Sequence, residues 1–337
     1  MSRLVSIDYT WYFDKALHAG PKARNDASRT LRSLGYDTVM RFHSEAGGTP
    51  KPMWRRHLDW LGMYMTHLRD CRQVVFQWPT LIPQWLLDKL RKQGTRIIYL
   101  VHDLDRLREG KHELNDTEKR LLGSADEIIA HTPAMKDYLC EQGMRNDITV
   151  LGLFDYYTET IPSAEDPNIR SIVYCGNLGK SRFLNALDDS SWETDTYLYG
   201  GGTDGKFTNP CLKYNGVFAA DNPTGIKGGW GLVWDGDSAE TCDTSSVGNY
   251  LCYNLPHKTS LYLAIGKPVI VWKKAAVAPY ILEHNAGIAV NSLYEIPEKI
   301  AAISKEQYEK MAIEISAISR DLRTGAFLRA ALNASLS

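Results

Sequence analysis

Two segments of the chain place cations where a polypeptide can hold an anion. In Asn254-Leu-Pro-His-Lys-Thr-Ser-Leu-Tyr-Leu-Ala-Ile-Gly-Lys-Pro-Val-Ile-Val271, Asn254 is a helix-capping type and Pro256 suits a first helical turn. His257 and Lys258 then fall at a helix start, where free N–H groups and the macrodipole favour negative charge. A cation there works against the helix itself and makes sense if a phosphate lies between Lys258 and the backbone. A solvated lysine on an ordinary helix has the same spacing. In Tyr174-Cys-Gly-Asn-Leu-Gly-Lys-Ser-Arg-Phe183, a strand runs into a loop with Gly176 and Gly179. Ser181 can cap the next helix, with Lys180 and Arg182 flanking its start. Glycine allows close backbone approach and Arg gives bidentate phosphate contacts. The segment is neither GxGxxG nor a P-loop, and glycine turns with surface bases are common.

A third group could move a proton. His102-Asp-Leu-Asp-Arg-Leu-Arg108 directly follows the apolar run RIIYLV, so Asp103, Asp105 or His102 could act as a general base at a strand end. Asp103/Asp105 and Asp235/Asp237 also have DxD metal spacing, but neither pair has a clear third ligand. Helix capping and solvated charge explain them equally well. Gly20-Pro-Lys-Ala-Arg-Asn-Asp26 brings Lys22 and Arg24 into a helix start, where they could approach an anion or simply be solvated. The run after Tyr199, from Gly200 to Gly202, could let a nucleobase lie on bare backbone, or serve only as a strand-exit turn.

The elements that would carry these loops alternate. Strands are expected at Leu4–Ile7, Thr38–Phe42, Val74–Trp78, Arg96–Val101, Glu127–His131 and Ile148–Leu151, with helical stretches between them. Phe154–Asn168 breaks the rhythm and reads as a linker. Strands then resume at Ile172–Cys175, Thr196–Tyr199, Gly231–Trp234, Val269–Trp272 and Ile288–Val290. A polar, mobile loop is expected at Asp235–Gly248, a helix at Pro256–Ile265 and further helices from Ser304, where Gln307 completes capping-box spacing. Repeated βα units favour parallel sheets covered by helices on both faces. The expected fold is α/β, two doubly wound domains in tandem, with ligands at the strands' carboxyl ends and a cleft between the domains. Trp54–Leu68 is a helix in which Trp54, Trp60 and Tyr64 read as core. Arg55, Arg56 and His57 beside them leave an interfacial patch as the alternative.

Composition narrows the class. The chain has 337 residues, 44% hydrophobic and 23% charged, enough for two self-supporting domains. Its 39 Lys and Arg against 40 Asp and Glu argue against a nucleic-acid coat. Six cysteines without CxxC or Cys/His zinc spacing suggest a reducing compartment. The first residues lack a signal-peptide core, and Gln73–Leu87, interrupted by Pro79 and Pro83, is too short to span a bilayer. The expectation is a cytoplasmic protein that can touch the inner face of a membrane.

Taken together, HDLDRLR, CGNLGKSR, GLVWDG (Gly231–Gly236) and NLPHKTSLYLAIGKPVIV resemble small bacterial glycosyltransferases of the GT-B fold. The closest likeness is to β-1,6-galactofuranosyltransferases and related glucosyltransferases that extend glycans on streptococcal serine-rich adhesins. The resemblance covers nearly the whole chain and implies an acceptor-binding domain over residues 1–153. A nucleotide-sugar domain over 169–315 would follow, and 316–337 would cross back to the first. It implies a UDP-sugar donor, with Arg182 and Lys258 on the diphosphate and Asn254 and the His257 helix start nearby. Tyr199 and Gly200 would lie near the nucleoside, and His102 and Asp103 would face a saccharide, glycolipid or glycoprotein acceptor. Such enzymes work without a metal or other cofactor and form homo-oligomers. The reaction expected is inverting transfer of galactofuranose, glucose or galactose in polysaccharide or glycoprotein glycan synthesis. A UDP-sugar epimerase and a non-catalytic nucleotide-sugar-binding subunit are the competing readings.

Overall fold

The computed structural model describes residues 3–10, 21–45, 48–145, 147–160, 168–189 and 191–334. The chain divides into two compact units. One holds residues 1–107, 111–152 and 325–337, and the other holds 108–110 and 153–324.

The first unit contains β1 (Arg3–Thr10), β2 (Asp37–Phe42), β3 (Cys71–Trp78), β4 (Arg96–Val101), β5 (Glu127–Ala130) and β6 (Asp147–Val150). They form one sheet in the order β2-β1-β3-β4-β5-β6, with every pairing parallel. Helices cover it, so central strands are apolar along their length; from Ile97 to Val101 every residue of β4 is buried. Strand order reverses between β1 and β3. The chain's last helix, Ala326–Ala334, packs on helix Lys22–Ser33 and on β6.

The second unit contains β7 (Ile172–Cys175), β8 (Thr196–Tyr199), β9 (Leu212–Tyr214), β10 (Trp230–Val233), β11 (Val269–Trp272) and β12 (Gly287–Val290). Their order is β12-β11-β10-β7-β8-β9, again all parallel, with the reversal between β7 and β10. Helix Lys305–Thr324 buries Tyr308, Met311, Ile315, Ile318 and Leu322. Its Ser319 hydroxyl donates to the Ala264 carbonyl at 2.6 Å, which joins it to helix His257–Ala264. The expected capping box forms: Gln307 N–H donates to Ser304 Oγ, and Ser304 N–H to Gln307 Oε1.

Three expectations need correction. Phe154, Asp155 and Tyr156 form no loose linker; they are buried, with Tyr156 N–H on the Leu322 carbonyl and its hydroxyl on Ala220. The loop after β10 is anchored rather than mobile, since Trp234 Nε1 donates to the Ser238 carbonyl and Cys242 is fully buried. Along the helical stretch after β2, Trp60 is core but Trp54 is 59% exposed.

One stability prediction arises in the first unit. His131 is buried, and its Nε2–H donates to the Val101 carbonyl at 2.9 Å. Burial lowers its pKa from 6.5 to about 4, so the folded state holds the neutral ring. The resulting stability is complete above pH 6.5 and drains as pH falls through about 4, at up to about 1.4 kcal/mol per pH unit. Thermal melts between neutral pH and pH 4 should show that loss, and His131→Gln should flatten it. An equal slope in the variant would assign the acid sensitivity elsewhere.

Candidate functional site

In doubly wound sheets, ligands sit beyond the strands' carboxyl ends where strand order reverses. In the second unit that place is the exit of β7 and β10, and Lys258 occupies it. Its Nζ donates to Asp235 Oδ1 at 2.9 Å, to the Trp234 carbonyl at 2.9 Å and to Tyr174 Oη at 3.2 Å. It also lies 4.5 Å from the Tyr174 ring centroid. Burial, the largest single influence, would lower its pKa, but Asp235 and Tyr174 together outweigh it and hold the ammonium above its ordinary range. Lysine has three N–H donors, so Lys258 knits Tyr174 at the end of β7 to Trp234 and Asp235 just beyond β10. The Asp235/Asp237 pair is therefore no free metal motif, because Asp235 is the counter-ion of Lys258. No group of three His, Cys, Asp or Glu side chains suited to a metal occurs among the described residues.

The network continues into the loop after β7. Tyr174 Oη lies 2.7 Å from Ser181 Oγ, and Ser181 also donates to the Asn177 carbonyl. The next residue, Arg182, is exposed, and its guanidinium makes no hydrogen bond or ion pair among the described residues. The helix start at His257 carries a cluster of unsatisfied polar atoms. Asn254 Oδ1, Thr259 Oγ1 and Ser260 Oγ are buried without hydrogen bonds among the described residues. Thr259 and Ser260 have no exposed surface, so their hydroxyls are interior groups and do not by themselves mark a ligand site. The hydroxyls of Thr259 and Ser260 were not singled out in the sequence, because only burial distinguishes them from surface serines. The His257 ring packs against Tyr156 at 5.0 Å and Phe154 at 6.1 Å.

Tyr199 and Gly200 shape the loops at the exit of β8. The Tyr199 hydroxyl donates to the Gly225 carbonyl and accepts from Lys227 N–H, clamping the loop before β10. Gly200 has φ 144°, and a Cβ there would strike the Gly176 carbonyl. The exit loops of β7 and β8 thus touch backbone to backbone, and this close approach is what requires glycine.

In the first unit the reversal between β1 and β3 holds a buried polar chain. Asp8 Oδ1 meets Arg24 Nη1 at 2.5 Å, and burial raises the Asp8 pKa although Arg24 opposes it. Arg24 also donates to the Gln77 and Pro79 carbonyls. Gln77 Nε2 donates to Ser28 Oγ at 2.8 Å, which turns Gln77 Oε1 toward His102 Nε2, also at 2.8 Å. His102 Nε2 is thus engaged, while Nδ1 is closed to solvent. Both ring nitrogens therefore face the interior, and His102 fits a strut better than a base. Asp103 follows it, partly exposed, and Asp105 opens helix Asp105–Arg108.

Lys22 does not present itself to an anion. It is buried and paired with Asp26 at 2.7 Å, one helical turn on. Gly20 lies outside the described residues.

Residues 10–153 match the N-terminal domain and residues 172–335 the C-terminal domain of the family described as glucosyltransferase 3-like. The chain is 33% identical over 276 residues to a β-1,6-galactofuranosyltransferase, WbbI, of Escherichia coli (strain K12), covering 80% of each. It is 23% identical over 320 residues to glucosyltransferase 3 of Streptococcus gordonii, covering 92% of each. Among solved structures, an α-glucosyltransferase in complex with UDP and a 13-mer DNA aligns over 94% of both chains with a TM-score of 0.53 and 12% identity, a likeness of fold. The two doubly wound domains are of the GT-B type, and the chain belongs to the glucosyltransferase 3-like family of glycosyltransferases.

Proposed function

We propose that the chain transfers a hexosyl group, galactofuranose, glucose or galactose, from a UDP-sugar to a saccharide acceptor with inversion at the anomeric carbon. The observation that carries this reading is the Lys258–Asp235 ion pair at the β7/β10 reversal, set beside the start of helix His257–Ala264 and the loop that exposes Arg182. Breaking the anomeric C–O bond puts charge on the departing diphosphate. A fixed ammonium, an available guanidinium and helix N–H groups stabilise it with little reorganisation. The second domain takes the donor and the first takes the acceptor, a saccharide carried free, on lipid or on protein. Glycan assembly in the cytoplasm by a homo-oligomer fits the family resemblance and six cysteines without disulfides.

Calorimetry with UDP tests the donor half of this reading. Arg182→Ala should weaken binding about tenfold or more, the worth of one charge-assisted contact. Unchanged affinity would remove the β7 exit loop from the site. A thermal-shift panel of UDP-, GDP- and dTDP-sugars identifies the donor, since a ligand of the folded state raises its stability. Transfer is expected to persist in EDTA; complete loss restored by Mn²⁺ would reinstate a metal role for Asp103 and Asp105.

A further inference from the structure

The helical stretch after β2 is apolar on two opposite faces. Helix Met53–Met63 continues into a single π-turn, Tyr64–Leu68. Its inner face carries Trp60, which packs on Tyr9 at 4.8 Å and Phe76 at 6.2 Å, together with buried Met63. Its outer face carries Trp54, Leu58, Leu61 and Met65, which with Met53 are 47–67% exposed. Positions i, i+4, i+7 and i+11 fall on one line of an α-helix, so this is a continuous stripe about 16 Å long. Leucine, methionine and tryptophan left in water along a line mark a surface that something else covers.

Charge around the stripe tells what covers it. Between Lys51 and Arg72 there are five Lys or Arg and two Asp, in a chain whose net charge is -1. Of the two, Asp59 is taken by Lys51 at 2.9 Å and Asp70 adjoins Arg69. Further cations border the stripe from other elements: Arg3 donates to the Thr66 carbonyl, and Lys89 lies 5.2 Å from the Tyr64 ring. Two acidic side chains also border it: Glu45 meets Arg55 at 2.9 Å and Asp37 meets His67 at 2.6 Å, against the cations Arg56, Arg72, Arg3 and Lys89. An apolar line with a tryptophan and a cationic border matches a lipid surface of negative headgroups. A second copy on the same face is the alternative occupant, and the test below separates it from a lipid surface.

We propose that the outer face of Met53–Leu68 docks the protein on an anionic membrane surface, with Trp54, Leu58, Leu61 and Met65 inserted at the headgroup boundary. No helix among the described residues is long and apolar enough to cross a membrane, so the contact is peripheral. It is independent of the donor assignment, because vesicle binding is read without any transfer.

The test is co-sedimentation of the full chain with phosphatidylcholine vesicles made with and without phosphatidylglycerol. The protein should bind the anionic vesicles, and more weakly as salt rises. The double variant Leu58→Gln/Leu61→Gln should lose at least tenfold in binding while keeping its melting temperature and its affinity for UDP. Failure of the unaltered chain to bind, equal binding to neutral vesicles, or undiminished binding by the variant would each overturn the proposal. So would light scattering that shows an oligomer which the double variant dissolves, since the stripe would then be buried by a second copy.

Discussion

Asp103→Asn should lower glycosyl transfer about 10²–10⁴-fold, the usual worth of a general base, and leave UDP affinity unchanged. Inverting transfer needs a group that removes the acceptor hydroxyl proton as the hydroxyl attacks. At the end of β4 three side chains could do this, His102, Asp103 and Asp105. The His102 ring is engaged by Gln77 at Nε2, and its Nδ1 is closed to solvent. A hydroxyl cannot reach either nitrogen without displacing the ring. Asp103 is the next residue, partly exposed and beyond the strand, where a bound sugar can approach. Asparagine keeps its volume and most of its hydrogen bonds but removes the basicity. If Asp103 only caps the turn, the change would instead cost about 1 kcal/mol of stability and leave turnover near normal. Turnover, UDP affinity and melting temperature on one variant distinguish these outcomes. Near-normal turnover would remove Asp103 from the mechanism and pass the same test to Asp105.

How much of this was readable from the chain depends on the range of the interaction. All six strands of the first unit and five of the six in the second follow from short apolar runs. The missing strand, β9, has three residues at a sheet edge, too few to show a period. The pairing of Lys22 with Asp26 uses a four-residue spacing that the sequence contains, but nothing in the spacing distinguishes it from the anion contact or solvation expected of Lys22. The partner of Lys258 was not visible, because Asp235 lies 23 residues away and only the folding of the long loop between β10 and helix His257–Ala264 brings them together. On the helix after β2, periodicity revealed an apolar line but not its direction. Leu58, Leu61 and Met65 share helical spacing, as Trp60 and Met63 do, and only packing on Tyr9 and Phe76 decides which set is core. Tyr199 and Gly200 mark a site edge in sequence, yet their hydrogen bond and close backbone contact are internal devices of the loops.

Lys258→Met should reduce transfer about 10²–10³-fold, the range for losing one fixed stabiliser of charge in a transition state. The methionine keeps most of the side chain's length and packing on Tyr174, so the substitution chiefly removes charge and three hydrogen bonds. UDP affinity should fall by about tenfold or more, as for other charge-assisted contacts. Some stability should also go, because the Tyr174 hydroxyl and the Trp234 carbonyl lose their donor. The confounding case is that Lys258 serves only as an internal tie between β7 and β10. Asp235→Asn resolves it. That change weakens the tie from the other end but leaves the ammonium in place, relieved of its counter-ion. A diphosphate can then draw on the same cation, so UDP affinity should stay within a few-fold of normal while the melting temperature falls. Comparable loss of UDP affinity in both variants would mean that the tie itself, rather than its positive charge, supports the site. Unaltered UDP affinity in both would remove the β7/β10 reversal from donor binding altogether.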